Sequence, residues 1–114
     1  DVYPTLCELT GLRPPVHVQG KSFAPLFDNP DQPWKQSVFY RTGPGETILT
    51  ETHAYTEWIN DKTGQPYAQM LYDHRRDPEE NENIADKPEN KKLIKALQEK
   101  LYRHLKTRDS LIIP

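Results

Sequence analysis

The stretch LYDHRRDPEENENIA, from Leu71 to Ala85, is a connector between a β-patterned region and a helix-patterned region. It opens with an apolar run that ends at Asp73, as a strand would. Asp77 and Pro78 then predict a turn, because proline fixes its own φ and biases the preceding residue away from helix. The acids and asparagines that follow hold tight loops by bonding to their own backbone. The connector is therefore predicted to join a strand to a new element.

A single amphipathic helix is predicted after the connector, from about Lys87 to Arg108. Its apolar stripe recurs at spacings of three and four and consists of Leu93, Ile94, Leu97, Leu101 and Leu105. Asp86 and Glu89 match a capping box, in which the aspartate accepts from an early helix amide. Burying each stripe residue contributes about 1.5–3 kcal/mol, enough to fix the helix across a sheet. The apolar residues 111–113 are expected to pack against another part of the protein.

Four β-favouring runs precede the connector: Ser37 to Arg41, Glu46 to Thr52, Ala54 to Ile59, and Ala68 to Asp73. Turn-forming residues separate the first pair and the last pair, and the connections are short enough for an antiparallel meander. Alternation along the runs predicts one buried face. The predicted fold class is α+β, a small antiparallel sheet of about four strands packed by one long C-terminal helix.

A short helix and a proline-rich connector are predicted before the sheet. Asp1 can cap the helix, and Gly11 suits the left-handed position that ends it. The segment from Leu12 to Pro33 carries five prolines and predicts an extended connector. We therefore expect two parts, residues 1–33 and residues 34–114.

Composition narrows the class of partner. Fifteen lysines and arginines against 17 aspartates and glutamates give a formal charge of −2, so no global field would draw the chain to nucleic acid or an anionic membrane. No apolar run approaches the ~20 residues that a membrane span needs. A hydrophobic content of 34% predicts a small core, or one completed by something outside the chain. A start without methionine, directly at a helix cap, fits a fragment, a cleaved chain or a truncated form of a protein.

Motifs for catalysis or metal binding are not found in the sequence. The four histidines, His17, His53, His74 and His104, have no zinc-ligand spacing. No serine lies in a nucleophile elbow, and no glycine-rich phosphate loop precedes a helix. Cys7 lies on the apolar face of a helix, which favours a buried structural thiol. We therefore assign no catalytic residue and no metal ligand to this chain.

Three stretches together resemble the sulfatases that use a formylglycine nucleophile. The connector follows a Leu-Tyr-Asp-x-x-x-Asp-Pro-Glu-Glu-x-x-Asn-Ile-Ala pattern found near the C-terminus of that family. The opening DVYPTLCELTG is similar to its D-x-Y-P-T-L-x-x-L-x-G helix, and GKSFAPL from Gly20 to its G-x-S-L-x-P-L stretch. Tyr55-Thr56-Glu57-Trp58, followed by the connector, looks most like the iduronate-2-sulfatase-like branch.

The resemblance implies the C-terminal subdomain of a sulfatase with an alkaline-phosphatase-like fold, with residues 1–33 ending the main domain. It implies a sulfuric ester hydrolase acting on a sulfated carbohydrate such as a glycosaminoglycan. The expected partner is the N-terminal catalytic domain of the same protein, and the expected compartment is periplasmic, secreted or lysosomal. The parent would use Ca2+ and a formylglycine made from Cys-x-Pro-x-Arg. Here Cys7 is followed by Glu8 and Leu9, so this segment alone is not expected to be catalytic.

Substrate shaping is the role that the resemblance leaves for this chain. The best substrate-binding candidates are Arg41, before the Gly-Pro-Gly turn, and His53, between two strands; arginine suits bidentate recognition of sulfate or carboxylate. A surface-paired arginine and a histidine on a solvated face are the alternatives. The chain also departs from the family, because Leu49 and Ala54 stand where two basic residues are usual.

Two other functions stay open. The first is a non-catalytic carbohydrate-binding or interaction module, which a solvent-facing platform of Trp34, Trp58 and Tyr67 would favour, whereas burial of these rings against the helix would favour a scaffold. The second is a phosphodiesterase or phosphatase of related fold.

Overall fold

The computed structural model describes residues 1–112, with side chains described up to Asp109. The predicted packing of residues 111–113 lies outside the described side chains. The chain forms two compact units, one of Asp1–Trp34 with the residues from Thr107 onward, and one of Lys35–Lys106. The proposed division into residues 1–33 and 34–114 stays a prediction.

The first unit contains two short helices, α1 (Val2–Leu9) and α2 (Pro25–Asp28). Gly11 ends α1 with a φ of +71°, as predicted, and the amide that follows it donates to the carbonyl of Cys7 at 2.8 Å. Asp1 is the N-cap residue of α1, as predicted, but its side chain makes no capping bond, and its Oδ1 accepts instead from the amide of Lys21 at 2.8 Å. Cys7 is buried, as its apolar setting predicted.

The second unit contains the predicted four-stranded antiparallel sheet. Its strands are β1 (Ser37–Thr42), β2 (Gly45–Thr50), β3 (His53–Ile59) and β4 (Pro66–Asp73), in the order β1-β2-β3-β4. The register aligns one row of side chains across all four strands, namely Phe39, Ile48, Tyr55 and Leu71. Because side chains alternate along each strand, this row marks the face of the sheet that meets the core.

The long helix α3 (Lys91–Ile112) follows a 3-10 turn at Pro88–Asn90. The predicted capping box at Asp86 is wrong, since the turn begins from Lys87 and has no side-chain cap. One of the two amides that Asp86 would have bonded belongs to Pro88, which has no N–H to donate. The side-chain amide of Asn90 instead donates to the carbonyl of Ile84 at 2.8 Å.

The core lies between α3 and the sheet, as the apolar stripe predicted. Ile94, Leu97 and Leu101 are buried against the row of sheet residues, and Leu93 and Leu105 pack at the margins. The α+β class is therefore confirmed. None of the helices within residues 1–112 combines the length and hydropathy that crossing a bilayer requires.

The connector closes the outer edge of β4. The amide of Leu71 donates to Asn83 Oδ1 at 3.0 Å, the amide of Ile84 donates to the carbonyl of Leu71 at 2.9 Å, and Asn83 Nδ2 donates to the carbonyl of Gln69 at 3.1 Å. Farther out, Asp77 accepts from the amide of Glu82 at 2.8 Å. The acids and asparagines thus hold the loop through backbone bonds, as the sequence indicated.

Candidate functional site

His53 opens β3 and lies buried at one end of the sheet, with 9% of its surface exposed. Its Nδ1 is 2.8 Å from the hydroxyl of Thr52, and its Nε2 is 3.8 Å from Asp73 Oδ2 at the end of β4. Burial lowers the pKa of His53 below its usual value, although the Asp73 carboxylate acts in the opposite direction. The imidazole is therefore neutral at pH 7 and can exchange hydrogen bonds without carrying charge. The alternative of a solvated histidine is wrong.

Asp73 is fixed beside His53 by a two-pronged contact with Arg75. Arg75 Nε donates to Oδ1 and Nη2 donates to Oδ2, each at 2.9 Å, and the Arg75 amide adds a bond to Oδ1 at 3.1 Å. These bonds hold the pKa of Asp73 far below its usual range, so it stays anionic. Because the Arg75 side chain is 62% exposed, this end of the sheet also presents a guanidinium to solvent.

Two cavities flank His53, and both are lined by His53 and Leu93. The larger, about 820 Å³, lies where β1 begins and β2 ends. The smaller, about 410 Å³, lies between the connector and the start of α3, and its lining includes Arg76 and Lys87. Both volumes fall in the range of small-molecule sites, roughly 300–1,000 Å³. The position of His53 between two strands could be predicted from the sequence, whereas the cavities beside it could not.

Arg41 lies at the other end of the sheet. Its Nε is 3.3 Å from Glu46 Oε1 and donates to the carbonyl of Gly43 at 3.1 Å, so the surface-pair alternative describes its contacts. Glu46 pairs in register with Glu57, which is four residues along β3 from His53. That spacing is about 13 Å at the usual rise of a strand. The structure does not bring Arg41 and His53 together, and their substrate-binding roles stay predictions.

Glu57 is a site that the sequence analysis missed. It is fully buried, and it accepts hydrogen bonds at 2.6 Å from the hydroxyls of Tyr55 and Tyr102, at 3.1 Å from Gln69 Nε2, and from the side-chain amide of Gln98. Burial and the Glu57 carboxylate together raise the pKa of both tyrosines above their usual value. The available signal was its spacing, because Glu57 shares a sheet face with the apolar Tyr55. Its bonds fix α3 on the sheet.

Among the residues that the structure describes, neither a ligand set for a metal ion nor the formylglycine motif is found. Within residues 1–112, no group of three histidine, cysteine, aspartate or glutamate side chains is arranged to hold a metal ion. Cys7 is buried within α1 and is followed by Glu8 and Leu9 rather than by the Cys-x-Pro-x-Arg pattern. At the His53 end, the described side chains offer an imidazole, a carboxylate and an exposed guanidinium.

Comparison with known proteins decides the family. Residues 1–107 match the family model described as N-sulphoglucosamine sulphohydrolase, C-terminal. The chain belongs to this family of sulfatase C-terminal domains. The resemblance to sulfatases, drawn from the connector and the opening helix, is thereby confirmed.

Individual relatives of this sulfatase domain are longer proteins. The Delta 4,5-hexuronate-2-O-sulfatase of Bacteroides thetaiotaomicron is 29% identical over 103 residues, which cover 82% of this chain and 20% of that protein. A protein solved in complex with its substrate, D-glucosamine-2-N,6-O-disulfate, superposes with a TM-score of 0.73 at 25% identity, covering 94% of this chain and 23% of that one. A third, from the glycosaminoglycan metabolism of Bacteroides thetaiotaomicron, gives a TM-score of 0.75 at 26% identity, covering 93% and 26%. The domain thus spans about a fifth to a quarter of these relatives.

Trp58 does not pack against α3, as the scaffold alternative would require. Trp58 is half-buried and lies on the opposite face of the sheet, since its neighbour Glu57 points to the helix. Tyr67 is 63% exposed beside an irregularity in the β3–β4 pairing. In the first unit, the Lys21 ammonium lies 4.3 Å from the ring centroid of Trp34. The alternative of a carbohydrate-binding module stays open on these positions.

Proposed function

We propose that this chain is the C-terminal part of a sulfuric ester hydrolase that removes sulfate from a glycosaminoglycan. The observation that carries the proposal is the family match over residues 1–107. The substrate class follows from relatives, one named a hexuronate-2-O-sulfatase and another solved with a sulfated glucosamine. The activity belongs to a longer protein of which this domain is one part.

The domain's own role is to present a rigid, polar edge to the substrate. Glu57 and the connector hold helix, sheet and loop in one arrangement, so the His53 end keeps its shape when a ligand arrives. Neutral His53 and the exposed guanidinium of Arg75 suit a sugar hydroxyl and an anionic substituent, respectively. Arg41 offers a second guanidinium at the far end of the sheet.

The reactive centre lies in the N-terminal catalytic domain of the same protein, which is the proposed partner of this chain. As the sulfatase resemblance implies, that domain would hold a formylglycine, which would supply an oxygen nucleophile, and Ca2+, which would supply positive charge for the sulfate group; no residue of this chain is assigned to hold either. The residues of this chain are assigned binding and orientation, because Cys7 is followed by Glu8 and Leu9 and lacks the Cys-x-Pro-x-Arg motif of a formylglycine precursor.

The proposal is tested with the protein expressed from the full reading frame that contains this chain. Sulfated glycosaminoglycan disaccharides are incubated with it, and free sulfate is measured by ion chromatography, with 4-nitrophenyl phosphate as a parallel substrate. We expect sulfate release and no phosphate release. Phosphate release without sulfate would favour the phosphatase alternative, and disaccharide binding without any hydrolysis would favour the binding module; either result overturns the proposal.

A further inference from the structure

The larger cavity beside His53 has an apolar inner wall. Leu93 and Leu97 of α3 line it together with Val38 and Leu49 of the β1–β2 pair. Leu97 is only 4% exposed, whereas Val38 is 55% exposed, so the apolar lining runs from the core out to the surface. An apolar wall of this kind can cover the C–H face of a sugar ring, which carries no hydrogen-bonding group of its own.

The same cavity includes one lysine that can face an anion. Its charged lining residues are Lys35, which already has an interaction of its own, Lys100 and the acidic Glu51. Lys100 follows Leu97 by three residues and Leu93 by seven, so all three lie on one face of α3. Among the residues that the structure describes, no carboxylate pairs with Lys100. Its ammonium is therefore available to a ligand.

Hydroxyl groups complete the polar lining. Thr50 Oγ1 accepts a hydrogen bond from the amide of His53 at 3.0 Å and donates one to the carbonyl of His53 at 3.1 Å. This hydroxyl therefore stabilises the turn and is not assigned to a ligand. The Thr52–His53 pair stands in the wall next to it, and Ser37 is half-buried at the start of β1. Apolar surface, a cation and hydroxyl groups thus meet in one concave site.

We propose that this cavity is a binding subsite for an anionic sugar residue, one that carries a sulfate or a carboxylate. Lys100 faces the anionic substituent, and Leu93 and Leu97 cover one face of the ring. The inference rests on the proposed function for the ligand class, and it names the part of the domain that contacts the polysaccharide.

The test uses the full-length protein with leucine methyl groups labelled for NMR and the Leu93 and Leu97 signals assigned. D-glucosamine-2-N,6-O-disulfate is the probe, and unsulfated glucosamine is the control ligand. The variants are Lys100→Ala, the conservative Lys100→Arg, and Lys95→Ala, an exposed lysine of α3 outside the cavity lining. Sulfate released during each titration is measured in the same samples.

We expect the probe to shift the two methyl signals and glucosamine to leave them unchanged. Lys100→Ala should weaken binding by about fivefold, as for a partly exposed ion pair, and more salt should shrink this difference. Lys100→Arg and Lys95→Ala should bind as the unchanged protein does. Equal binding by Lys100→Ala and Lys95→Ala, or methyl signals that do not respond, would overturn the subsite.

The two proposals fail in different ways. If sulfate is released but the methyl signals of Leu93 and Leu97 do not shift, the hydrolase proposal is supported and the subsite proposal is contradicted. If the methyl signals shift in a way that depends on Lys100 but no sulfate is released, the subsite proposal is supported and the hydrolase proposal is contradicted.

Discussion

The carboxylate of Glu57 on β3 accepts a hydrogen bond from the phenol of Tyr102 on α3, with 2.6 Å between the two oxygens. Gln98, one turn earlier on the same helix, donates to the other oxygen of this carboxylate. A fully buried charge is costly unless its bonds are complete, and here its donors come from both sheet and helix. The pairing therefore fixes the position of α3 along the sheet more tightly than apolar packing alone.

Removing the Tyr102 hydroxyl should destabilise the domain. Tyr102→Phe leaves Glu57 with one bond fewer in a buried setting, and a bond to a charged group contributes about 1.5–3 kcal/mol. The urea-unfolding midpoint measures the loss. Tyr67→Phe is the matched control, because Tyr67 is 63% exposed, and it should change stability by less than about 0.5 kcal/mol. Equal losses in the two variants would contradict the role assigned to Glu57.

Asn83 should be required to keep the connector on β4. Asn83→Ala removes bonds to the amides of Leu71 and Ala85 and to the carbonyl of Gln69, at a cost of about 1–3 kcal/mol. The Leu71 amide should then exchange its hydrogen faster, as measured by hydrogen–deuterium exchange. Glu79→Ala, at an exposed position in the same loop, should leave that exchange unchanged. Unchanged Leu71 exchange in Asn83→Ala would contradict the prediction.

His53 should make stability depend on pH near neutrality. The folded state holds the pKa of His53 below the ordinary 6.5, so between these two values the unfolded chain binds more protons. The stability from this group is present above about pH 6.5 and is lost as the pH falls towards the folded pKa. Unfolding midpoints measured between about pH 5 and 8 should fall less steeply on acidification in His53→Gln. Identical slopes in the two proteins would argue against a buried neutral imidazole.

Arg75 should control the acid stability of the domain. Its bonds depress the pKa of Asp73, so this group contributes stability above the unfolded value of about 3.9, and the contribution is lost as the pH falls through the lower folded pKa. In Arg75→Gln the carboxyl of Asp73 should titrate closer to 3.9, as followed by carbon-13 NMR. Arg76→Gln is the control, because Arg76 contacts Asp73 through its backbone amide, which donates to the Asp73 carbonyl at 3.0 Å and is kept in the variant. A titration of Asp73 that does not move in Arg75→Gln would contradict the assignment.

The sheet and the long helix could be predicted because their signals are local. Alternating side chains and turn residues marked the strands. The predicted and observed strand ends differ little: β4 begins at Pro66 and not at Ala68. An edge strand tolerates proline at its first position. The four-residue helix α2 was missed because it is too short to show a period. Asp86 was wrongly predicted as a cap, since the pattern ignores that Pro88 offers no amide hydrogen.

The candidate site was harder to predict because it depends on distant pairings. His53 could be selected from its place between strands, but its contact with Asp73 at the end of β4 depends on the pairing of two strands. Glu57 has the spacing of a core position and the chemistry of a surface residue, so its burial is explained by the donors that surround it. Two of these donors, Gln98 and Tyr102, lie more than forty residues away on α3 and carry no local signature.

The most direct test compares sulfate release from one sulfated glycosaminoglycan disaccharide by the full-length protein and by the 114-residue chain alone. A domain that binds and orients, with its reactive centre elsewhere in the protein, predicts release by the full-length protein and none by the chain. Release by the chain alone, or none by the full-length protein across the glycosaminoglycan disaccharides, would contradict it.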